Sequence, residues 1–212
     1  MEQREHAGDP RETFDGLEIG AVSIKWVRRD RQGGTIVLIQ RHEGRPEERI
    51  REILGRHGAG QRSRVVVTGQ AARLLMDLPY RSETECIEQA LSFHDLKPDI
   101  LLSLGGETFS VYPMKDGNIR NVISTSKCAA GTGEFIVQQF QRMGLSLEKG
   151  LAEARKGRLV QMATRCSVHC KSDATHKLNK GECRPGDIAR SLVNDLAMKV
   201  SELVELAQWP TG

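Results

Sequence analysis

Lys127-Cys128-Ala129-Ala130-Gly131-Thr132-Gly133-Glu134-Phe135 puts a thiol directly ahead of a Gly-Thr-Gly turn that opens an amphipathic helix. The unpaired N–H groups of a helix N-terminus, with the positive end of its dipole, favour a thiolate over a neutral thiol. Cys128 is therefore suited to hold a metal or a cluster, and Gly131 and Gly133 let the backbone approach a bound group closely. The helix that follows, residues 133–143, carries Phe135, Ile136, Gln139, Phe140 and Met143 on one face.

Upstream of this stretch, residues 99–104 form a nearly continuous apolar run that ends in Gly105-Gly106, the pattern of a central strand covered on both faces. Residues 108–114 and 119–125 flank Lys115-Asp116-Gly117-Asn118, a hairpin signal. Nearer the start, 17–20 and 22–26 alternate with period two, and 35–40 gives another strand after the Gly33-Gly34 turn. Pro46 opens a short helix with Ile50, Ile53 and Leu54 on its apolar stripe. A strand at 64–68, a turn at Gly69 and helices at 71–76 and 83–94 follow. Downstream lie helices at 147–156 and 185–207, the longer one striped by Ile188, Leu192, Leu196, Val200, Leu203 and Ala207 in ordinary core spacing. Strand hairpins that lead into helices, twice, with glycine-rich turns at strand ends, predict an α/β protein that binds phosphate near those turns.

Bulk properties narrow the function. The formal charge of +3 is small beside 31 basic and 28 acidic residues, and aromatic side chains are scarce, so nucleic acid is not an expected partner. No apolar run approaches the roughly 20 residues that span a bilayer, and the first 15 residues are too charged for a signal peptide, so a cytoplasmic protein is expected. Five cysteines, an odd number without a secretory signal, point to metal or redox use rather than a disulfide framework. Cys86, on a predicted helix, reads as a small buried hydrophobe.

The Cys128 motif, the Gly105-Gly106 strand end and Cys166 together resemble the BadF/BadG/BcrA/BcrD-type family, the activator ATPases of 2-hydroxyacyl-CoA dehydratases and benzoyl-CoA reductases. The similarity runs from about Gly16 onward and is most specific at 127–135 and 164–181. It implies the α/β fold of actin, sugar kinases and heat-shock ATPases (ribonuclease H-like). It also implies a homodimer with one [4Fe-4S] cluster shared at the dimer interface, on Cys128 and Cys166 of each chain. ATP binding and hydrolysis, with Mg2+, would drive one low-potential electron from reduced ferredoxin or flavodoxin to the CoA-ester dehydratase or reductase. By position, Gly20, Gly105, Gly106 and Thr108 would lie near the nucleotide phosphates, and Glu18 would be the magnesium carboxylate.

The chain departs from the family pattern at several of these places. Glu18 stands where aspartate is usual, Ala21 and Val22 where hydroxyl residues are, Ser103 where aspartate leads the second turn, and Glu107 and Thr108 where glutamine and aspartate follow it. The sequence stops at Trp209-Pro210-Thr211-Gly212, where the adenosine-binding strand should begin, which implies an N-terminal fragment or degenerate tandem unit with an incomplete C-terminal nucleotide lobe. The expected layout is a polar leader at 1–15, a first lobe at 16–126 and a cluster-binding helical segment at 127–212. A non-hydrolysing, metal-stabilised docking or regulatory domain of the same fold is the alternative, with a small-molecule kinase behind it.

Cys170 and Cys183 exceed the family's need and leave three arrangements open. They are spare thiols, or they join Cys128 and Cys166 around one cluster per chain, or they bind zinc with His169 or His176. Ser172-Asp173 reads as the cap of a helix running to Leu178. Lys25, Lys127 and Arg165 read as solvated charges, and His6, His42, His57 and His94 show no ligand spacing.

Overall fold

Alternation in the N-terminal part becomes three antiparallel strands, β1 (Thr13–Ile19), β2 (Ser23–Asp30) and β3 (Thr35–Arg41), joined in parallel by β4 (Ser63–Thr68) to give the order β3-β2-β1-β4. The computed structural model describes residues 12–57, 63–125, 132–163 and 166–207, so Cys128 and Gly131 lie outside the described residues. The chain divides into two compact units, Met1–His94 and Asp95–Gly212, a boundary well before the one expected after residue 126.

In the first unit, Leu17, Ile19, Ile24, Trp26 and Val67 turn inward from the sheet, and Ile50 and Ile53 of α1 (Pro46–Arg56) and Ala72 of α2 (Ala72–Leu75) join them. The last helix, α3 (Glu83–Phe93), opens on a capping box in which Ser82 and Glu85 exchange hydrogen bonds. Residues Thr13, Phe14 and Asp15 belong to β1, not to a polar leader. Asp15 sits on the core side because its cross-strand partner is Arg28, whose guanidinium donates to both carboxylate oxygens at 2.8 and 2.7 Å. The same guanidinium lies over the Trp26 ring and donates to the His57 carbonyl at 2.6 Å, while the His57 ring stacks on Trp26. A buried charge is tolerable only when paired and hydrogen-bonded in this way.

The second unit begins with β5 (Ile100–Leu104), antiparallel to β6 (Phe109–Lys115). Contrary to expectation, β5 is no central covered strand. Among the described residues it pairs only with β6, and Leu102 and Leu104 are exposed. The Asp116-Gly117 turn forms as expected, both residues at positive φ. The strand after it is split into β7 (Asn118–Ile119) and β8 (Ile123–Ser124). Arg120 donates to the Pro113 carbonyl at 2.9 Å, but proline has no N–H to return. The register then slips by one residue, from Met114↔Ile119 to Val111↔Ile123, as at a β-bulge.

Four helices follow: α4 (Gly133–Arg142), α5 (Leu147–Lys156), α6 (Ser167–Asn179) and α7 (Pro185–Leu206). Phe135, Ile136 and Phe140 of α4 pack with Ala154, Cys170, Ala174, Ile188, Ala189 and Leu192 in one core. Leu203 closes a smaller core over Phe109 and Val111 of β6. Ser172 and Asp173 do not cap α6, which starts five residues earlier; they lie inside it, and Asp173 accepts the Ala163 N–H at 3.0 Å.

Candidate functional site

Two turns of the same build stand at the ends of the two leading strands. In the first unit the last β1–β2 pair, Ile19↔Ile24, is joined by residues 20–23, and Gly20 N–H donates to the Ser23 carbonyl at 3.0 Å. In the second, Leu104↔Phe109 is joined by 105–108, and Gly105 N–H donates to the Thr108 carbonyl at 2.9 Å. The return bonds that would close these four-residue turns, from Ser23 N–H to Gly20 and from Thr108 N–H to Gly105, are not formed among the described residues. Both turns therefore keep N–H groups available for an anion.

The carbonyls of each turn are drawn aside by neighbours within the same unit. In the first, the His42 ring meets the Gly20 carbonyl and the His42 N–H donates to the Val22 carbonyl. In the second, the partner is α4, because Glu134 N–H donates to the Gly106 carbonyl at 2.9 Å. A β-carbon at Gly133 would stand 3.1 Å from the Gly105 oxygen and 3.7 Å from the Gly106 Cα, so only glycine leaves ordinary space for this approach. Gly133 and Glu134 thus anchor α4 on the Gly105-Gly106 turn, a contact the sequence motif alone does not announce.

Glu18 lies on β1 beside the first turn, but its carboxylate accepts two hydrogen bonds from Lys25 Nζ, at 3.0 and 2.8 Å. Lys25 is exposed, as expected of a surface charge, but it is paired. A magnesium ion held through Glu18 would have to share the carboxylate with this ammonium. Thr68, level with Glu18 on the neighbouring strand, has a buried hydroxyl with no hydrogen-bond partner among the described residues. Neither Thr68 nor His42 was legible as a site residue, since strand pairing and not sequence spacing brings them to the turn. Thr108 is exposed, as is Glu107.

The cysteines divide by environment. Cys166 is the N-cap of α6, and the nearby backbone N–H groups of His169 and Val168 hold its thiol below the ordinary thiol range, although no full capping hydrogen bond forms to it. That is the chemistry of a thiolate ligand, and it fits an iron or zinc site. Cys170, one turn further on, is fully buried in the core, and burial, then the Asp195 carboxylate, push its thiol up to about 11. Cys183 is partly buried, and burial followed by Asp187 raises it too. Burial thus disfavours the thiolate form of both. Among the described residues no three His, Cys, Asp or Glu side chains converge as a metal site. Cys170 belongs to the same core as Phe135 and Ile136 of α4. A groove lined by Leu159, Met162, Ser191, Asp195 and Met198 holds none of the expected residues. No helix among the described residues is long and apolar enough to cross a membrane.

No protein-family model matches the chain. It is 26% identical over 200 residues to a 2-hydroxyisocaproyl-CoA dehydratase activator of Clostridioides difficile, covering 90% of this chain and 74% of the relative. It is 28% identical over 102 residues to an (R)-2-hydroxyglutaryl-CoA dehydratase activating ATPase of Acidaminococcus fermentans, covering 47% of this chain and only 39% of that protein. Among solved structures, the C. difficile activator with bound ADPNP superposes with a TM-score of 0.76 at 22% identity, over 92% of this chain and 76% of its own. The fold is that of these activators, the actin-like α/β fold expected from the sequence.

Proposed function

We propose that this chain, which resembles the activator ATPases of 2-hydroxyacyl-CoA dehydratases in both sequence and fold, is an ATP-binding iron–sulfur activator unit. It delivers a low-potential electron to a 2-hydroxyacyl-CoA dehydratase or a benzoyl-CoA reductase-type partner in the cytoplasm, and receives it from reduced ferredoxin or flavodoxin. Two chains bind one [4Fe-4S] cluster, each through Cys128 and Cys166. Such a cluster supplies one-electron chemistry at a potential tuned by hydrogen bonds to its sulfurs.

The observation that carries this reading is Cys166. A thiol held low by two helix N–H groups is prepared as a thiolate, and it belongs to the same unit as the Gly105-Gly106 turn. The remaining roles follow from what the residues can do. Gly20, Gly105, Gly106 and Thr108 frame turns whose N–H groups face phosphate, and Gly133 keeps α4 against the second of them. Gly131 shapes the turn after Cys128. Glu18 holds magnesium through water once Lys25 gives way.

The Lys25–Glu18 ion pair favours a second reading, a docking or regulatory unit that binds nucleotide without turning it over. Magnesium-dependent ATP turnover by the protein would eliminate that alternative. The primary test is the iron, acid-labile sulfide and zinc content of anaerobically purified protein, with the molar mass of the same peak. About two irons per chain in a dimer supports the shared cluster. Zinc without sulfide removes the electron-transfer role.

A further inference from the structure

His42 is a histidine with no ligand spacing in sequence, yet it is buried and every polar group it owns is engaged. It lies just after β3, at the start of a tight turn in which Arg45 N–H donates to the His42 carbonyl at 2.7 Å. Glu43 and Gly44 both take positive φ there, 50° and 78°. That conformation is costly for a glutamate. It aims the Gly44 N–H at His42 Nδ1, 3.2 Å away. Nδ1 is therefore the acceptor, which puts the ring proton on Nε2, and Nε2 lies 3.2 Å from the Gly20 carbonyl oxygen. The tautomer is fixed by a backbone donor on one side and a backbone acceptor on the other.

The Gly20 carbonyl belongs to the same planar peptide as the Ala21 N–H, and in a trans peptide the two point in opposite directions. Holding the oxygen toward His42 turns the Ala21 N–H away from it. Released, the oxygen is free to swing back onto Ser23 N–H and close the turn, which would take an anion-binding donor out of use. In the second turn the carbonyl that is held is that of Gly106, by the Glu134 N–H of α4.

We propose that His42 is the positioning residue of the first phosphate turn, holding the Gly20 carbonyl back through Nε2–H so that the Ala21 N–H faces a bound phosphate. The inference rests on the nucleotide-binding reading above. The test compares the full chain with its His42→Gln and His42→Leu variants, using Mg-ADPNP as the probe in titration calorimetry so that turnover plays no part. Glutamine carries a donor at nearly the reach of Nε2, and leucine carries none.

The expected result is a loss of about tenfold in affinity for H42L and recovery to within about threefold for H42Q, the scale of one hydrogen bond. The two variants should melt together, which separates turn geometry from fold stability. Equal affinity for all three chains overturns the role of His42 while leaving nucleotide binding intact. No binding even by the unmodified chain overturns the nucleotide reading and this role with it. Should H42L fail to fold, the ring 15N spectrum of the unmodified chain still decides. An Nδ1–H tautomer at His42 refutes the geometry, and an Nε2–H tautomer that shifts on adding Mg-ADPNP supports it.

Discussion

The contrast between Cys166 and Cys170 gives the most quantitative expectation. With a thiol at about 11, Cys170 is thiolate to only about three parts in ten thousand near pH 7.5. An unshifted thiol near 9 is about 3% thiolate at the same pH. Cys166 lies on the acidic side of that, since backbone N–H groups of His169 and Val168 stabilise its anion. The population advantage of Cys166 is thus at least about 100-fold. Part of it is returned, because a less basic thiolate is a weaker nucleophile; a Brønsted coefficient of about 0.4–0.5 over about 2 units removes up to roughly tenfold. A net rate advantage of at least about tenfold remains before burial of Cys170 adds to it. The assay is timed iodoacetamide labelling of metal-stripped, reduced full-length chain, read by peptide mass spectrometry across a pH series. Labelling of Cys166 should rise with pH below the ordinary thiol range, and that of Cys170 only toward pH 11. Comparable rates for the two near neutrality would refute the reasoning, since both sit on one helix and differ only in the environment described.

Further expectations concern stability and coupling. Because the folded protein keeps Cys170 protonated above the ordinary thiol range, the unfolded chain loses that proton first, and stability falls as pH rises between about 9 and about 11. The slope is at most about 1.4 kcal/mol per pH unit, and a Cys170→Ala chain should lack this component of its urea midpoint shift. Asp15→Asn leaves the Arg28 guanidinium without its carboxylate and should cost about 3–5 kcal/mol in urea unfolding. A cost below about 1 kcal/mol would mean that water replaces the partner. Gly133→Ala gains helix propensity of up to about 1 kcal/mol but forces the Gly105 carbonyl to retreat. The expected outcome is a chain of unchanged helicity by circular dichroism whose Mg-ADPNP affinity drops severalfold. Unchanged affinity would show that α4 does not set the second turn.

Local chemistry made much of this legible. The Gly33-Gly34 and Asp116-Gly117 turns are short-range signals, and both hairpins formed where those signals lie, whereas the turn that splits the alternating 17–26 stretch into β1 and β2 was not legible as a hairpin. The apolar face of α4 was visible from its spacing, and Phe135, Ile136, Gln139 and Phe140 are all buried. What stayed hidden depends on pairing between distant strands. Asp15 looked like the end of a charged leader because its partner Arg28 is thirteen residues away and is brought opposite only by the β1–β2 register. His42 reaches Gly20 for a similar reason, through the pairing of β2 with β3. At the start of α6, Ser172-Asp173 is the stronger capping pair by residue type, but Ala163 takes Asp173 and the helix begins at a cysteine instead. The apolar run at 99–104 signalled a strand without signalling how many neighbours it has.

The free side of β5 bears on how this chain behaves in a test tube. Opposite β6, Ile100–Leu104 presents no strand partner among the described residues, and Leu102 and Leu104 lie exposed along it. A strand edge that bears exposed apolar side chains is a template for further strands, and this one carries no lysine or proline to discourage them. Colloidal behaviour of the chain should therefore track substitutions in these five residues more closely than it tracks overall charge. A Leu102→Lys replacement there is the economical route to concentrated samples.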